Sequence, residues 1–271
     1  MNDDKEKIEK YIMLSIMDGL GPVFDNSIIG ICGGIDACFS MSDEDILNNA
    51  AKSFISQRKV KAFLAQRNDS FIMDAAERIL SEAEGAGMDI VTYEDIRYPK
   101  RFKGIADVPV LLYVKGELRI NEYADSVGIV GARRCSHEGK ERAIIAAERA
   151  VSENKAVISG MAKGIDSYAH TAAIKGNGYT IAVLGSGADI CYPKEHEKLY
   201  EEIIKTGCVL SEYPPGTTPK NFYFPMRNRL IAALSDKLYV IDVGRNSGTR
   251  STIESGERYG REIEVVAACD I

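Results

Sequence analysis

Ser211-Glu212-Tyr213-Pro214-Pro215-Gly216 is followed by a run from Asn221 to Ser235 in which Phe222, Tyr223 and Phe224 stand beside Arg227 and Arg229. Pro225 lacks an N–H and has a φ suited to a first helical turn, so the spacing predicts a helix opening there, with Arg227 and Asn228 among its first residues. Such a start collects positive charge. Its unpaired amides attract anions, guanidinium groups fork onto phosphate, and aromatic faces stack on unpaired bases. An amphipathic core helix with two solvated arginines has the same pattern, so the neighbouring segments must decide.

Three of those segments place glycine where strands should end: Gly131-Ala132-Arg133-Arg134-Cys135-Ser136, Ser159-Gly160-Met161-Ala162-Lys163-Gly164-Ile165-Asp166 and Gly185-Ser186-Gly187-Ala188-Asp189. In a doubly wound sheet the carboxyl ends of the strands share one edge, so the three turns are expected to converge on one crevice. Gly131, Gly164, Gly185 and Gly187 would let the backbone approach a phosphate, with Arg133 and Lys163 supplying charge. Tight strand–helix packing is the alternative use of the same glycines. Tyr192-Pro193-Lys194 adds an aromatic ring and a cation beyond the third turn, and Glu212 is placed to orient Arg227 or Arg229.

Other chemistries find little support. No Gly-x-Gly-x-x-Gly or Gly-x-x-x-x-Gly-Lys-Ser/Thr order occurs, against a nicotinamide dehydrogenase or an ATPase of that type. Ser211 lacks a nucleophile elbow, and neither His170 nor His196 is indicated as its partner. Asp166 reads as a cap of the helix that follows it. The six cysteines form no Cys-x-x-Cys pair and the three histidines are scattered, so neither metal nor cofactor is expected, and the thiols are expected to be reduced.

The elements that must position these residues fall into two regions. From Lys5 to Ala86 the pattern is helical, with Ile8, Tyr11, Ile12 and Ile16 on one face and further helices over 43–50, 60–66 and 71–84. Gly19-Leu20-Gly21-Pro22 follows the first helix, either as a plain helix break or as a turn resembling the hairpin of helix-hairpin-helix modules. After Gly87 short β-rich runs (90–93, 110–115, 127–130, 156–159, 180–184, 209–211, 238–243 and 262–267) alternate with helices over 138–153, 167–175, 195–205, 226–234 and 251–259. That alternation predicts an α/β fold: a doubly wound, mostly parallel sheet preceded by a small all-α domain, divided as 1–87 and 88–271. Composition agrees with a soluble globular chain, 45% hydrophobic and 27% charged. A charged start and the lack of a long apolar run predict a cytoplasmic protein with no membrane partner. The net charge is −6, but residues 1–97 carry 10 basic and 18 acidic side chains and residues 98–271 carry 24 and 22. A polyanion would therefore engage the second region, in a local pocket rather than by bulk charge.

Taken in order, Gly131-Ala132-Arg133-x-x-Ser136, Ser159-Gly160-x-Ala162-x-Gly164-Ile165-Asp166, Gly185-Ser186-Gly187-x-Asp189-x-x-Tyr192-Pro193, Ser211-Glu212-x-Pro214-x-Gly216-x-x-Pro219 and Phe224-Pro225-x-Arg227-Asn228-Arg229 resemble the DNA-processing protein A family, DprA/Smf. The likeness spans about residues 88–268, and the helical segment before it resembles the family's sterile-alpha-motif-like or helix-hairpin-helix domain. It implies an extended Rossmann-like domain that binds single-stranded DNA and loads the RecA recombinase during natural transformation, as a homodimer and without catalysis. Matched residue by residue, Arg133, Ser159, Gly160, Lys163, Phe224, Arg227, Asn228 and Arg229 would form or border the DNA pocket, with Lys175 and Lys194 as rim cations; Arg227 is the better candidate for phosphate, and Arg229 the better candidate for a brace through Glu212. The match is weaker at Ser247-Gly248-Thr249-Arg250-Ser251-Thr252, and the family's usual Pro-Gly ending and winged-helix domain have no counterpart before Ile271. Two alternatives use the same fold. A phosphoribohydrolase-like enzyme would employ Glu254 on a nucleoside monophosphate, and a sensor would bind a small nucleotide to regulate a partner.

Overall fold

The computed structural model describes residues 2–242 and 248–266. Val243, Ser247, Ala267 and Cys269, named above in strand ends, the glycine turn and the thiol count, lie outside them. Among the described residues no helix is long and apolar enough to cross a membrane. The chain divides into two compact units, residues 1–95 with 104–112, and residues 96–103 with 113–271.

The first unit holds helices α1 (Asn2–Ile16), α2 (Pro22–Cys32), α3 (Ile35–Ser40), α4 (Asp43–Lys52), α5 (Gln57–Gln66) and α6 (Ser70–Gly85), then strand β1 (Asp89–Thr92). Tyr11, Ile12 and Leu14 of α1 join Ile28, Ile35, Ile46 and Phe63 in its core, all fully buried. α2 and α3 were not among the expected helices; Gly19 and Gly21, both at positive φ, turn α1 into α2, whose first residue is Pro22. The Gly21 carbonyl accepts the amides of Phe24 and Asp25. Asp25 is itself buried in that first turn, and burial pushes its carboxyl up to about 7 against the opposing pull of Lys59 and the Gly21 amide.

Strand β2 (Leu111–Gly116) begins in the first unit and ends in the second, which contains β3 (Ser126–Gly131), α7 (His137–Ser152), β4 (Ala156–Ser159), α8 (Ile165–Lys175), β5 (Thr180–Val183), α9 (Glu197–Thr206), β6 (Cys208–Ser211), α10 (Tyr223–Leu234), β7 (Lys237–Ile241), α11 (Arg250–Arg258) and β8 (Glu262–Val266). The strands follow the order β2-β6-β5-β4-β3-β7-β8, parallel except where β2 runs against β6. This is the expected α/β class, a doubly wound and mostly parallel sheet. Strands β3, β4 and β5 are almost wholly buried, as strands covered on both faces must be. Val127 and Ile129 pack with Ala143 and Ala147 of α7 and Ala169 of α8 on one face. Gly128, pointing the other way, leaves room only for Ser235 at the end of α10 and Leu238. β4, β5 and β6 extend from one side of β3, and β7 and β8 from the other, so the chain reverses its winding between β3 and β7.

Candidate nucleic-acid interface

Carboxyl ends of strands on either side of such a reversal leave a gap, because the connections depart in opposite directions. Here the gap is a cavity of about 650 Å³, walled by Gly131, Ala132 and Arg133 after β3, Asp242 after β7, Ala162 and Asp166 at α8, Phe224, Pro225 and Asn228 on α10, and Thr249 and Thr252 at α11. A smaller hollow of about 60 Å³ shares Arg133, Ala162, Phe224 and Arg227 with it and adds Gly160, Lys163, Tyr192 and Pro193.

Arg133 and Phe224 stand at the boundary of both. The guanidinium lies over the Phe224 ring at 5.4 Å, Tyr192 flanks that ring at 5.6 Å, and a Cβ on Gly185 would come within 3.0 Å of its edge. Arg133 is exposed, and no ion pair engages it among the described residues. Lys163 is also exposed but is held by Glu195 at 2.5 Å.

Arg227, expected to meet phosphate, is instead 4% exposed. One guanidinium nitrogen donates to the carbonyls of Gly160, at 2.8 Å, and Val183, so it ties the ends of β4 and β5 together beneath the cavity. Its Nε donates to the Asn228 side-chain oxygen. Burial lowers its pKa to about 10, with Asp166 opposing the shift and Arg133 adding to it. Asp166 does not cap α8; it lies inside the helix and accepts the amides of Gly160 and Ala162, which fixes the second glycine turn. Its carboxyl is raised by burial, against Arg227 and those amides.

Several other expected site residues are committed to the fold. Ser159 is fully buried with its hydroxyl on the Ile129 carbonyl. The Asn228 amide donates to Gly248 and Ser251, stitching α10 to α11. Arg229 meets Glu212 through two bonds, at 3.0 and 2.6 Å, with both side chains largely buried. Lys175 ends α8, roughly 15 Å of helix from the end that meets the crevice, and lines neither cavity, so it is no rim cation. Lys194 is exposed beside Pro193 but lines neither cavity.

The glycine turns do not all serve the crevice. Gly131 lines it, yet any Cβ there would strike the Ile241 carbonyl at 2.1 Å. Gly164, at φ +77°, allows the second turn to touch the carbonyls of Ala132 and Arg133. The third turn lies apart: Gly187 packs on Asp189 and the Pro214 carbonyl, and Gly185 beneath Phe224. Packing is therefore the immediate demand at these positions. α10 also opens two residues earlier than Pro225, which sits as the third helical residue where a missing N–H costs nothing.

Residues proposed for catalysis are occupied elsewhere. The Ser211 hydroxyl donates to the Ser186 carbonyl. His170 is fully buried against Thr180, whose hydroxyl already donates to Val157, so the imidazole Nδ1 carries the proton; burial, Arg227 and His196 lower its pKa to about 3. Glu254 pairs with Arg250 on the exposed side of α11 and lines neither cavity.

Sequence reasoning missed Asp242 and gave Thr252 no role beyond closing the weaker family match at 247–252. Asp242, at the left-handed φ of +56°, accepts the Ser136 amide at 2.6 Å and its hydroxyl at 2.9 Å, anchoring the start of α7 beside the cavity. Its place directly after an apolar strand was the available signal. Thr252 is fully buried, and its hydroxyl has no hydrogen-bond partner among the described residues. No local pattern marks its burial.

Comparison with known proteins places this geometry among relatives. The family described as DNA recombination-mediator protein A matches over residues 89–269. The DNA processing protein DprA of Streptococcus pneumoniae is 40% identical over 166 residues, 61% of this chain and 58% of that one. The Bacillus subtilis DprA is 31% identical over 212 residues, 78% and 71% of the two chains. The chain thus spans somewhat over half of the pneumococcal relative's length in this alignment. The X-ray structure of the pneumococcal protein superposes with a TM-score of 0.79 at 30% identity, over 97% of this chain and 88% of that one. The DNA processing protein A of Helicobacter pylori, whose structure was described for its single-stranded DNA binding mode, gives 0.61 at 29% identity over 68% and 83%. Because the matched region contains every strand and helix that walls the crevice, this chain belongs to the DNA recombination-mediator protein A family, DprA/Smf.

Proposed function

We propose that this protein binds single-stranded DNA in the crevice between β3 and β7 and acts, without catalysis, on incoming DNA in natural transformation. The observation that carries the reading is Arg133, an exposed cation with no ion pair among the described residues, stacked on Phe224 at the boundary of the two cavities. A phosphate can take the guanidinium while an unpaired base takes the ring; bases inside a duplex have no free face to offer. The binding mode described for the Helicobacter pylori relative supports the same ligand class. Family resemblance extends the reading to a cytoplasmic homodimer that loads RecA onto the bound strand.

Fluorescence polarisation with labelled oligonucleotides tests the central claim. Single strands should bind more tightly than duplexes, with affinity falling as salt rises. Arg133→Ala should weaken binding across sequences, since phosphate contacts carry little base information. Equal affinity for both forms sinks the proposal.

A further inference from the structure

Beside the crevice lies an aromatic cluster with no part in the contacts described so far. The Phe222 ring stands edge-on to Tyr223 at 4.5 Å, and Tyr223 lies 4.2 Å from Tyr213. The Lys220 ammonium sits over both Phe222 and Tyr223, at 5.9 and 5.5 Å, and no ion pair engages it among the described residues. Packing accounts for Tyr213, whose hydroxyl is enclosed. It does not account for Phe222, which is 58% exposed, or for Met226, one helical turn on and 48% exposed.

Helical spacing separates two sides of the start of α10. Phe224, Arg227 and Asn228 face the cavity, while Tyr223 and Met226, three residues apart, lie on the other side with Phe222. The two sides are continuous along the chain, because Asn221 and Phe224, on either side of Phe222 and Tyr223, both line the large cavity. A strand leaving the crevice past Phe224 therefore meets aromatic faces and an uncompensated cation next, the combination that holds bases and backbone without reading sequence.

We propose that Lys220, Phe222 and Tyr223 form a second stacking platform that carries the single strand onward from the crevice. The inference rests on the reading of the crevice as a single-strand site and adds a direction to it. Its occupant is nucleic acid, because Lys220, a cation with no ion pair among the described residues, borders the rings and the patch continues from the cavity proposed to hold the strand.

Oligothymidylates of two lengths, about 4 and about 16 nucleotides, separate the two sites. The double substitution Lys220→Ala with Phe222→Ala removes exposed side chains, so the fold should persist, as an unchanged thermal midpoint would verify. Binding of the long strand should weaken about 10-fold and that of the short one by less than about 2-fold, whereas Arg133→Ala should weaken both. The chain has no tryptophan, so Phe222→Trp supplies a single reporter whose emission should be quenched by the long strand and not by the short one. Unchanged affinity at both lengths, with no quenching, overturns the platform and assigns the patch to a protein partner, leaving the crevice reading intact. Equal loss at both lengths overturns it too, by moving the residues into the crevice. Failure of the unsubstituted protein to bind either length removes the crevice reading and this one together.

Discussion

Replacing Arg227 tests whether its guanidinium belongs to the ligand or to the fold. Arg227→Ala removes two bonds from a charged donor to the carbonyls of Gly160 and Val183, each worth roughly 1.5–3 kcal/mol. It also leaves the buried Asp166 without the cation that opposes its burial. Recovering the hydration of the guanidinium offsets part of that loss, and breaking one side of a buried charge arrangement of this kind costs about 3–5 kcal/mol net. For a domain of this size the unfolding midpoint should fall by roughly 10 °C. Arg227→Lys should recover only part of the loss, because an ammonium reaching the two carbonyls has no second nitrogen to keep the bond to Asn228. Urea denaturation followed by circular dichroism reads the stability, and polarisation with a labelled single strand reads the binding. Arg133→Ala is the contrasting variant, with stability within about 0.5 kcal/mol of the parent but weaker binding. A double substitution with Asp166→Asn should show coupling on the order of 1 kcal/mol. If Arg227→Ala left the denaturation midpoint unchanged while abolishing binding, the guanidinium would have to face the strand, and the assignment to the floor of the crevice would be wrong.

Asp25→Asn should stabilise the first unit at pH 8. The folded carboxyl is raised from 3.8 to about 7, so its stabilising protonated state is fully present below about pH 4 and lost as pH rises through 7. The difference amounts to roughly 3–4 kcal/mol, and thermal melts between pH 4 and 8 should show the parent's decline flattened in the variant. Gly164→Ala combines a positive φ with a Cβ placed 2.3 Å from the Ala132 carbonyl, so a loss of about 3 kcal/mol is expected in the same urea assay; a neutral result would mean that the second turn can move away from the first.

The fold was legible because its strands are short apolar runs punctuated by glycine, a pattern that survives without tertiary information. α2 escaped notice because Asn26, Ser27 and Gly30 interrupt its helical propensity; the burial of Phe24, Ile28 and Ile29 holds it together instead. At the candidate site, residue type pointed to the edge of the sheet where the cavity lies but not to the division of labour. Arg133, Arg227 and Arg229 are alike as letters, and only packing separates an exposed ligand candidate from a buried tie and a partner of Glu212. The three glycine turns suggested three phosphate contacts, whereas atoms from distant segments, such as the Pro214 carbonyl over Gly187, close the third. Thr252 shows the same limit, since its burial follows from the approach of α11 to the cavity and not from its neighbours in sequence.

The guanidinium resting on Phe224 makes occupation of the crevice an exchange rather than a simple addition. On the proposed reading, an arriving base would evict Arg133 from the ring, giving up a cation–aromatic contact of about 0.5–2 kcal/mol to gain a stacking contact of about 1–3 kcal/mol. The ring alone would then contribute only a small surplus, and most of the grip would come when the evicted guanidinium closed on a phosphate. A nucleobase lacking its phosphate would have no such second step, so the contact between Arg133 and Phe224 would screen the ring against free bases and nucleosides and yield it to a charged strand.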